Sequence, residues 1–134
     1  MRIAAARVKH MSNSKWRKLF GTIRSRRPIL GGITFKLIKD ERHFTSHGYT
    51  LIPGPEFDCD DNFGECGGLS YTPFAHIEFV YIPNRYKTSP YGPKYDDVEY
   101  ANDIIGLIAL LNQIGKFPIE TFESGVKILG YEWD

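Results

Sequence analysis

The first regular pattern in the chain predicts an amphipathic helix. Apolar side chains recur at the i, i+3, i+4 and i+7 spacing of one helix face, at Trp16, Leu19, Phe20 and Ile23. Residues 12–14 (Ser-Asn-Ser) precede this stripe and offer side-chain oxygens that can cap a helix N-terminus. Pro28 and the glycines at 31 and 32 end the pattern. We therefore expect a helix that packs its apolar stripe against the core.

Alternating apolar and polar positions predict several β-strands. Residues 33–39 alternate, and residues 49–52 form a short apolar run closed by Pro-Gly-Pro. Residues 119–123 and 126–131 predict a hairpin that turns at Ser124-Gly125. These stretches together indicate a sheet built largely from antiparallel strands.

The strongest strand pattern covers residues 74–82. One predicted face carries Ala75, Ile77, Phe79 and Tyr81, and the other carries Phe74, His76, Glu78, Val80 and Ile82. Since both faces hold apolar side chains, we expect this strand to lie in the interior of its sheet.

A second helix is predicted over residues 96–114. Asp96 and Asp97 would begin it, because carboxylates interact favourably with a helix N-terminus, and Gly115 would end it. The predicted inward positions are Val98, Ala101, Ile104, Ile105, Ile108, Leu111 and Ile114. The intervening stretches 53–73 and 83–94 are rich in Gly and Pro and are predicted to be loops.

The element order α-β-β-β-α-β-β predicts an α+β two-layer domain, with two helices on one face of a largely antiparallel sheet. The 134 residues fit one domain, residues 11–134, after a basic segment at residues 1–10. That segment is open to three interpretations: a basic arm, a short helix, or leader residues read from an upstream start. We favour a mobile or loosely attached segment.

Composition narrows the class of protein. The shares of 42% hydrophobic and 14% aromatic residues exclude a disordered chain. No apolar run approaches the roughly 20 residues of a membrane span, and two cysteines do not make a disulfide scaffold. We expect a soluble cytoplasmic protein that does not bind membranes.

The net charge of +1 conceals a strong asymmetry along the chain. Residues 1–39 contain eleven Lys or Arg and no acid, whereas residues 40–134 contain six Lys or Arg against sixteen acids. Such a chain folds with a basic and an acidic patch, which either neutralise each other across the surface or meet a charged partner.

The acidic stretch in the predicted loop is the leading candidate for partner binding. Its residues are Glu56, Phe57, Asp58, Asp60, Asp61, Phe63 and Glu65. Carboxylates would steer a basic protein surface while the rings supply contact area. A calcium loop is not expected, since Phe63 replaces the required Gly and Leu69 the closing Glu. A plain solvated loop is the competing interpretation.

Two weaker groups could carry chemistry. His43, His47, Cys59 and Cys66 have zinc-ligand side chains, but six residues separate the cysteines where structural zinc sites have two to four. His76 and Glu78 alternate onto one predicted strand face, where a carboxylate could orient an imidazole for acid–base catalysis. Ordinary structural roles are the alternative for both groups. The sequence predicts no cofactor and favours a protein that is not an enzyme.

The basic face of the first helix suggests a third activity, weak and salt-sensitive binding of nucleic acid. The residues concerned are Lys15, Arg17, Lys18, Arg24, Arg26 and Arg27. The aromatic side of this helix is needed for the core, and the acidic remainder of the domain would repel a polyanion.

Several short motifs over residues 12–132 resemble a pattern of small bacterial proteins of uncharacterised function. The motifs are Ser12-Asn-Ser-Lys-Trp16, Ile77-Glu-Phe, Ile114-Gly115, Phe117-Pro118 and Gly130-Tyr131. That resemblance implies no catalytic residue. In size and build the chain is also similar to immunity proteins of bacterial toxin systems, which implies a protein partner, namely a basic toxin domain, bound through the acidic loop.

Overall fold

A computed structural model describes residues 6–25, 31–38, 40–45, 62, 71–88, 94 and 96–133. In chain order its elements are β1 (Ala6–Lys9), α1 (Asn13–Ser25), β2 (Thr34–Leu37), β3 (Asp40–Thr45), β4 (Ile77–Pro83), β5 (Arg85–Thr88), β6 (Val98–Ala101), α2 (Ile104–Ile114), β7 (Ile119–Phe122), β8 (Gly125–Leu129) and β9 (Tyr131–Trp133). A 3-10 turn, Phe74–His76, leads directly into β4.

The central sheet is antiparallel and has five strands in the order β3-β2-β4-β8-β7. Two separate antiparallel pairs, β1–β9 and β5–β6, complete the described strands. Side chains of α1 and α2 join those of β2, β4 and β8 in one hydrophobic core. The predicted α+β two-layer fold, the interior position of β4 and the β7–β8 hairpin are therefore confirmed.

Helix α1 matches its prediction closely. All four residues of the predicted stripe are buried. The Trp16 ring stacks on Phe20 at a centroid distance of 5.7 Å, and Phe20 in turn meets the edge of Phe74 at 5.4 Å. At the start of the helix, Lys15 N–H donates to the Ser12 hydroxyl oxygen at 3.2 Å. The predicted cap and the predicted core face are thus both present.

Strand β4 departs from its predicted alternation. Lys36 of β2 pairs with Phe79, but the neighbouring Leu37 pairs with Ile77, which leaves Glu78 as an extra residue in a bulge. The bulge turns Ile77 onto the buried face together with Val80 and Ile82. The prediction that Ile77 shares a face with Phe79 was therefore wrong, because strand alternation does not continue through a bulge.

The second helix is shorter than predicted. It begins at Ile104, where the Asp103 carboxylate accepts a hydrogen bond from Gly106 N–H at 3.0 Å. Residues 98–101 instead form β6, which pairs with β5. Strand β5 itself lies in the stretch 83–94 that was predicted to be a loop. The prediction of a helix start at Asp96 was wrong because antiparallel pairing of residues 98–101 with β5 outweighs the local helical pattern.

The buried side of α2 agrees with the prediction at Ile104, Ile108 and Leu111 and differs elsewhere. Leu107 and Leu111 are fully buried, with Ile104 and Ile108 packed beside them. The positions predicted to face inward at Val98, Ala101, Ile105 and Ile114 are exposed. Val98 and Ala101 belong to β6, and the helix packs its stripe at 104, 107, 108 and 111 inward, which leaves Ile105 and Ile114 outside that stripe.

Three further strands were not predicted. Residues 6–9 form β1 in a stretch for which no strand was expected, and β1 pairs with β9, which begins where the predicted strand 126–131 ends. Strand β3 pairs with β2 from residue 40 onward. The predicted strand at residues 49–52 lies outside the described residues.

Candidate functional site

Many residues singled out from the sequence lie outside the described part of the chain. They comprise the acidic loop (Glu56, Phe57, Asp58, Asp60, Asp61, Phe63 and Glu65), three of the potential zinc ligands (His47, Cys59 and Cys66), and Arg26 and Arg27. His43 lies in β3 and Arg24 in α1. Within the described ranges, no group of three or more His, Cys, Asp or Glu side chains is arranged to hold a metal ion.

His76 and Glu78 lie in different local structures. His76 belongs to the 3-10 turn, where its N–H donates to Pro73 O at 3.0 Å and its carbonyl accepts from Ile38 N–H at 2.9 Å. Glu78 lies in the bulge, and its carboxylate is 3.4 Å from the Lys36 ammonium. The strand alternation that predicted a shared face does not apply to these two residues, because His76 is not in the strand.

The basic face of α1 is present in the described residues. Arg17 and Lys18 are exposed, and Lys15 is half-buried. The first helix therefore shows cations on the side opposite its buried stripe, as predicted from its pattern.

An acidic segment that the sequence analysis had assigned to a helix start forms a separate surface. Residues 96–114, here called the acidic β6–α2 segment, expose the carboxylates of Asp96, Asp97, Glu99 and Asp103. No Lys or Arg occurs between residues 95 and 115. Arg85 Nη1 of the neighbouring strand β5 donates to Glu99 Oε1 at 3.0 Å, and both side chains are exposed. The sequence signal that could have indicated this acidic surface is the run of four carboxylates with no Lys or Arg among them.

Asn102 fixes this segment to the core. Its side-chain amide donates to Gly31 O and to Pro83 O, each at 2.8 Å, while its carbonyl oxygen accepts from Gly31 N–H at 3.0 Å. The Asn102 backbone N–H donates to Asn84 O at 2.8 Å. Asn102, the last residue before the Asp103 cap, is thereby hydrogen-bonded both to the segment before β2 and to the end of β4.

Two stacked tyrosines support the same region. Tyr86 of β5 lies over Tyr100 of β6 with a centroid distance of 5.4 Å and an interplanar angle of 22°. The Tyr86 ring also covers Gly31 so closely that a Cβ at this glycine would collide with it. Burial, and secondarily Tyr100, raises the pKa of the Tyr86 hydroxyl above 10.0. The β5–β6 pair is therefore packed against the buried Gly31 through the Tyr86 ring.

The outer face of α2 is uncharged and carries both apolar and amide side chains. The helix sequence, IIGLIALLNQI, contains no ionisable side chain. Ile105 is 84% exposed, and Ala109, Asn112 and Gln113 are exposed beside it. These residues share one side because they recur at helical spacing, opposite the buried Leu107 and Leu111.

The face of the sheet away from the core carries a cation among aromatic rings. The Lys127 ammonium is 4.2 Å from the centroid of the Phe79 ring and 5.5 Å from that of Phe122. Lys127 also lies opposite Glu120 in the β7–β8 ladder. The two aromatic rings attract the Lys127 ammonium group. The cross-strand position of Glu120 adds a residue of opposite charge beside it.

No family model, curated protein or solved structure matches this chain. Among the described helices, neither is long and apolar enough to cross a membrane. The function is therefore inferred from the chemistry of the surface.

Proposed function

We propose that this chain is a non-enzymatic protein-binding domain that binds a basic partner through its acidic surface. The observation that carries the proposal is the acidic β6–α2 segment, which has no cation within it and exposes the carboxylates of Asp96, Asp97 and Asp103 beside Glu99, which is paired with Arg85. Surfaces of one charge sign attract partners of the opposite sign, raise their association rate and disfavour wrong partners.

The amino-acid sequence supplies a second acidic stretch of the same character. Residues 56–65 contain five carboxylates interleaved with Phe57 and Phe63. Aromatic side chains are enriched among the residues that contribute most to binding energy, and carboxylates around them add specificity. Both acidic stretches fit a partner that presents Lys and Arg side chains.

The role that best fits these features is that of an immunity or antitoxin protein, which neutralises a toxin by covering it. A basic toxin domain is the partner we propose. If that toxin cleaves nucleic acid, the carboxylates would occupy positions where substrate phosphates otherwise bind. Inhibition would then follow from occupancy alone and would require no chemistry from this chain.

Affinity capture from the native lysate tests this function. The tagged protein is compared with a variant that lacks two charges of the acidic β6–α2 segment, Asp96→Asn with Asp97→Asn. A matched control removes two exposed carboxylates elsewhere, Glu120→Gln with Glu123→Gln. We expect one stoichiometric protein, resistant to nuclease treatment and moderate salt, whose yield falls in the first variant and not in the control.

Two outcomes would contradict the proposal. Capture of nucleic acid in place of protein, lost on nuclease treatment, would favour the basic face of α1. Absence of any stoichiometric protein would remove the protein-binding function and favour a small metal-dependent or acid–base enzyme.

A further inference from the structure

Strand β7 lies at an edge of the central sheet. It pairs with β8 on one side and stands last in the strand order β3-β2-β4-β8-β7. Its residues from Glu120 onward are exposed, as is the hairpin turn that follows them. The β7–β8 ladder pairs residue by residue without a bulge, so its register does not bend this edge away from a neighbour. A sheet edge of this kind is a template for a further strand.

The β7–β8 register determines which main-chain groups of β7 point away from the sheet. Leu129 N–H donates to Pro118 O at 2.9 Å, so antiparallel alternation directs the N–H and C=O groups of Glu120 and Phe122 toward β8. A trans peptide holds its C=O and N–H on opposite sides. The outward groups of β7 and its turn are therefore Ile119 C=O, Thr121 N–H, Thr121 C=O and Glu123 N–H.

The main-chain groups that flank this set are already bonded within the chain. Ile119 N–H donates to Phe117 O at 3.0 Å, and Glu123 O accepts from the Asn84 side-chain amide at 2.5 Å. Between described residues, no hydrogen bond to the outward groups is found. In chain order the edge thus presents an acceptor at Ile119, a donor and an acceptor at Thr121, and a donor at Glu123.

This order of donors and acceptors is self-complementary under a two-fold rotation. When two copies of β7 lie antiparallel with Thr121 opposite Thr121, each Thr121 N–H faces the Thr121 C=O of the other copy. Each Glu123 N–H then faces the other Ile119 C=O, and every outward group of both strands is paired. An ordinary extended peptide would also bring a C=O toward the Ile119 N–H, which is already bonded. The edge therefore fits a second copy better than an unrelated strand.

The side chains of β7 are compatible with this pairing. Thr121 is exposed and would lie directly opposite its own copy, an arrangement that is favourable for two threonines. Phe122, which is 44% exposed, would lie opposite Glu120 of the second copy and lose exposed apolar surface. A charge such as Glu120 normally protects a free edge, but Lys127 lies opposite it in β8. That cation reduces the repulsion between the two copies of Glu120.

We propose that β7 forms an antiparallel pair with β7 of a second copy, centred on Thr121, which joins two five-stranded sheets into one continuous sheet. Both copies use the same edge, so the contact closes as a dimer. Because β7 is only four residues long, the dimer is weak and forms at high chain concentration. Dimerisation does not depend on the proposed function, since the acidic β6–α2 segment lies outside β7.

Sedimentation of the full chain at about 5 to 500 μM tests the dimer. Two single variants, Thr121→Lys and Thr121→Glu, each place like charges directly opposite one another at the two-fold axis. Because Thr121 is exposed, both variants should keep the fold, which circular dichroism verifies. The control Thr121→Val leaves the main-chain groups in place and adds no charge.

We expect the wild type and Thr121→Val to dimerise with dissociation constants within about twofold of each other, and each charged variant to dimerise about fivefold more weakly. An equimolar mixture of the two charged variants should dimerise again, because the facing charges are then opposite in sign. A wild type that stays monomeric over the whole range, or a mixture no more dimeric than its components, would overturn the proposal.

Amide hydrogen exchange of the wild type locates the contact without any substitution. The Thr121 and Glu123 N–H groups should exchange at least about fivefold more slowly at the highest concentration than at the lowest. Glu120 and Phe122 N–H, which are bonded to β8, should be protected equally at both. Concentration-dependent protection in β3, at the opposite edge of the sheet, with none at Thr121 would assign the dimer to that edge and overturn the proposal.

Discussion

Asn102 binds Gly31 through both halves of its side-chain amide, across 71 residues of sequence. Gly31 directly precedes Gly32, whose positive φ of 66° favours glycine and where a Cβ would collide with the Tyr86 side chain. A third bond from Asn102 reaches Pro83 at the end of β4. One side chain thus connects the segment before β2, the end of β4 and the start of α2, and the position of the acidic β6–α2 segment depends on it.

Asn102→Ala should lower the free energy of unfolding by about 3 kcal/mol, since three partly buried hydrogen bonds are lost and the Gly31 peptide groups keep no side-chain partner. Urea denaturation of the purified chain measures this. The control Asn112→Ala, on the exposed side of α2, should stay within about 0.5 kcal/mol of the wild type. A loss equal to that of the control would show that the Asn102 bonds contribute little.

Gly130→Ala should destabilise the chain by about 2 kcal/mol or more. The added Cβ would collide with the Ile77 carbonyl oxygen and lie 3.1 Å from that of Glu78, and neither backbone group can move without disturbing the β4 bulge. The same glycine donates its N–H to Glu78 O at 2.8 Å. Thermal unfolding gives the comparison with Gly115→Ala, where the nearest atom is a Phe117 ring carbon at 3.6 Å and no loss is expected. Equal melting temperatures for the two variants would contradict the packing described at the bulge.

Stability should fall at alkaline pH, in part through Tyr131. Its hydroxyl donates to Ala75 O at 2.5 Å, and burial raises its pKa above 10.0. The folded chain therefore keeps a proton that the unfolded chain releases near pH 10, so this contribution is complete below pH 10 and is lost as pH rises through the higher folded value. Urea midpoints from pH 8 to 11.5 should decline less steeply for Tyr131→Phe than for the wild type. Tyr71→Phe, at an exposed position, should follow the wild type, and parallel curves for all three proteins would exclude this role of Tyr131.

Neutralising the acidic loop should slow partner association. In the variant Asp58→Asn, Asp60→Asn and Asp61→Asn, we expect the association rate at low salt to fall about 3–10-fold and its dependence on salt to flatten. The dissociation rate should change less, because long-range attraction acts mainly before contact. Surface-based kinetics with the captured partner measure both rates. Unchanged association would exclude the loop from the interface.

Metal analysis of protein purified without chelator should find less than about 0.1 zinc per chain, because the spacing of Cys59 and Cys66 is unlike that of structural zinc sites. About one zinc per chain would contradict this prediction. It would favour a metal-dependent function that uses these cysteines with His43 and His47.

Features set by local sequence could be predicted, and features set by distant pairing could not. Helix α1 was predicted because its cap at Ser12 and its apolar stripe lie within one short stretch. The start of α2 was misplaced because Asp96 and Asp103 are both suitable N-terminal residues, and only pairing of β6 with β5 decides between them. The bulge at Glu78 likewise arises from register with β2, which has no local signal.

The predicted partner-binding loop lies outside the described residues, so that prediction stays a prediction. Charge asymmetry predicted a basic and an acidic patch, and the acidic β6–α2 segment is an acidic stretch among the described residues. Its location was missed because Asp96 and Asp97 were assigned to a helix start and Ile105 to the core. Ile104, Ile108 and Leu111 lie inward as predicted, whereas Ile105, which is adjacent to Ile104 in the chain, lies on the opposite side of the helix from the buried Leu107.

The pairing of β1 with β9 has a consequence for synthesis of the chain. Residues 131–133 are made about 120 residues after residues 6–9, a delay of roughly 6–25 s at about 5–20 residues per second. During that interval β1 cannot form its ladder, and the contact has one of the largest loop-closure costs available in this fold. Closure of the β1–β9 pair is therefore expected among the last events of folding.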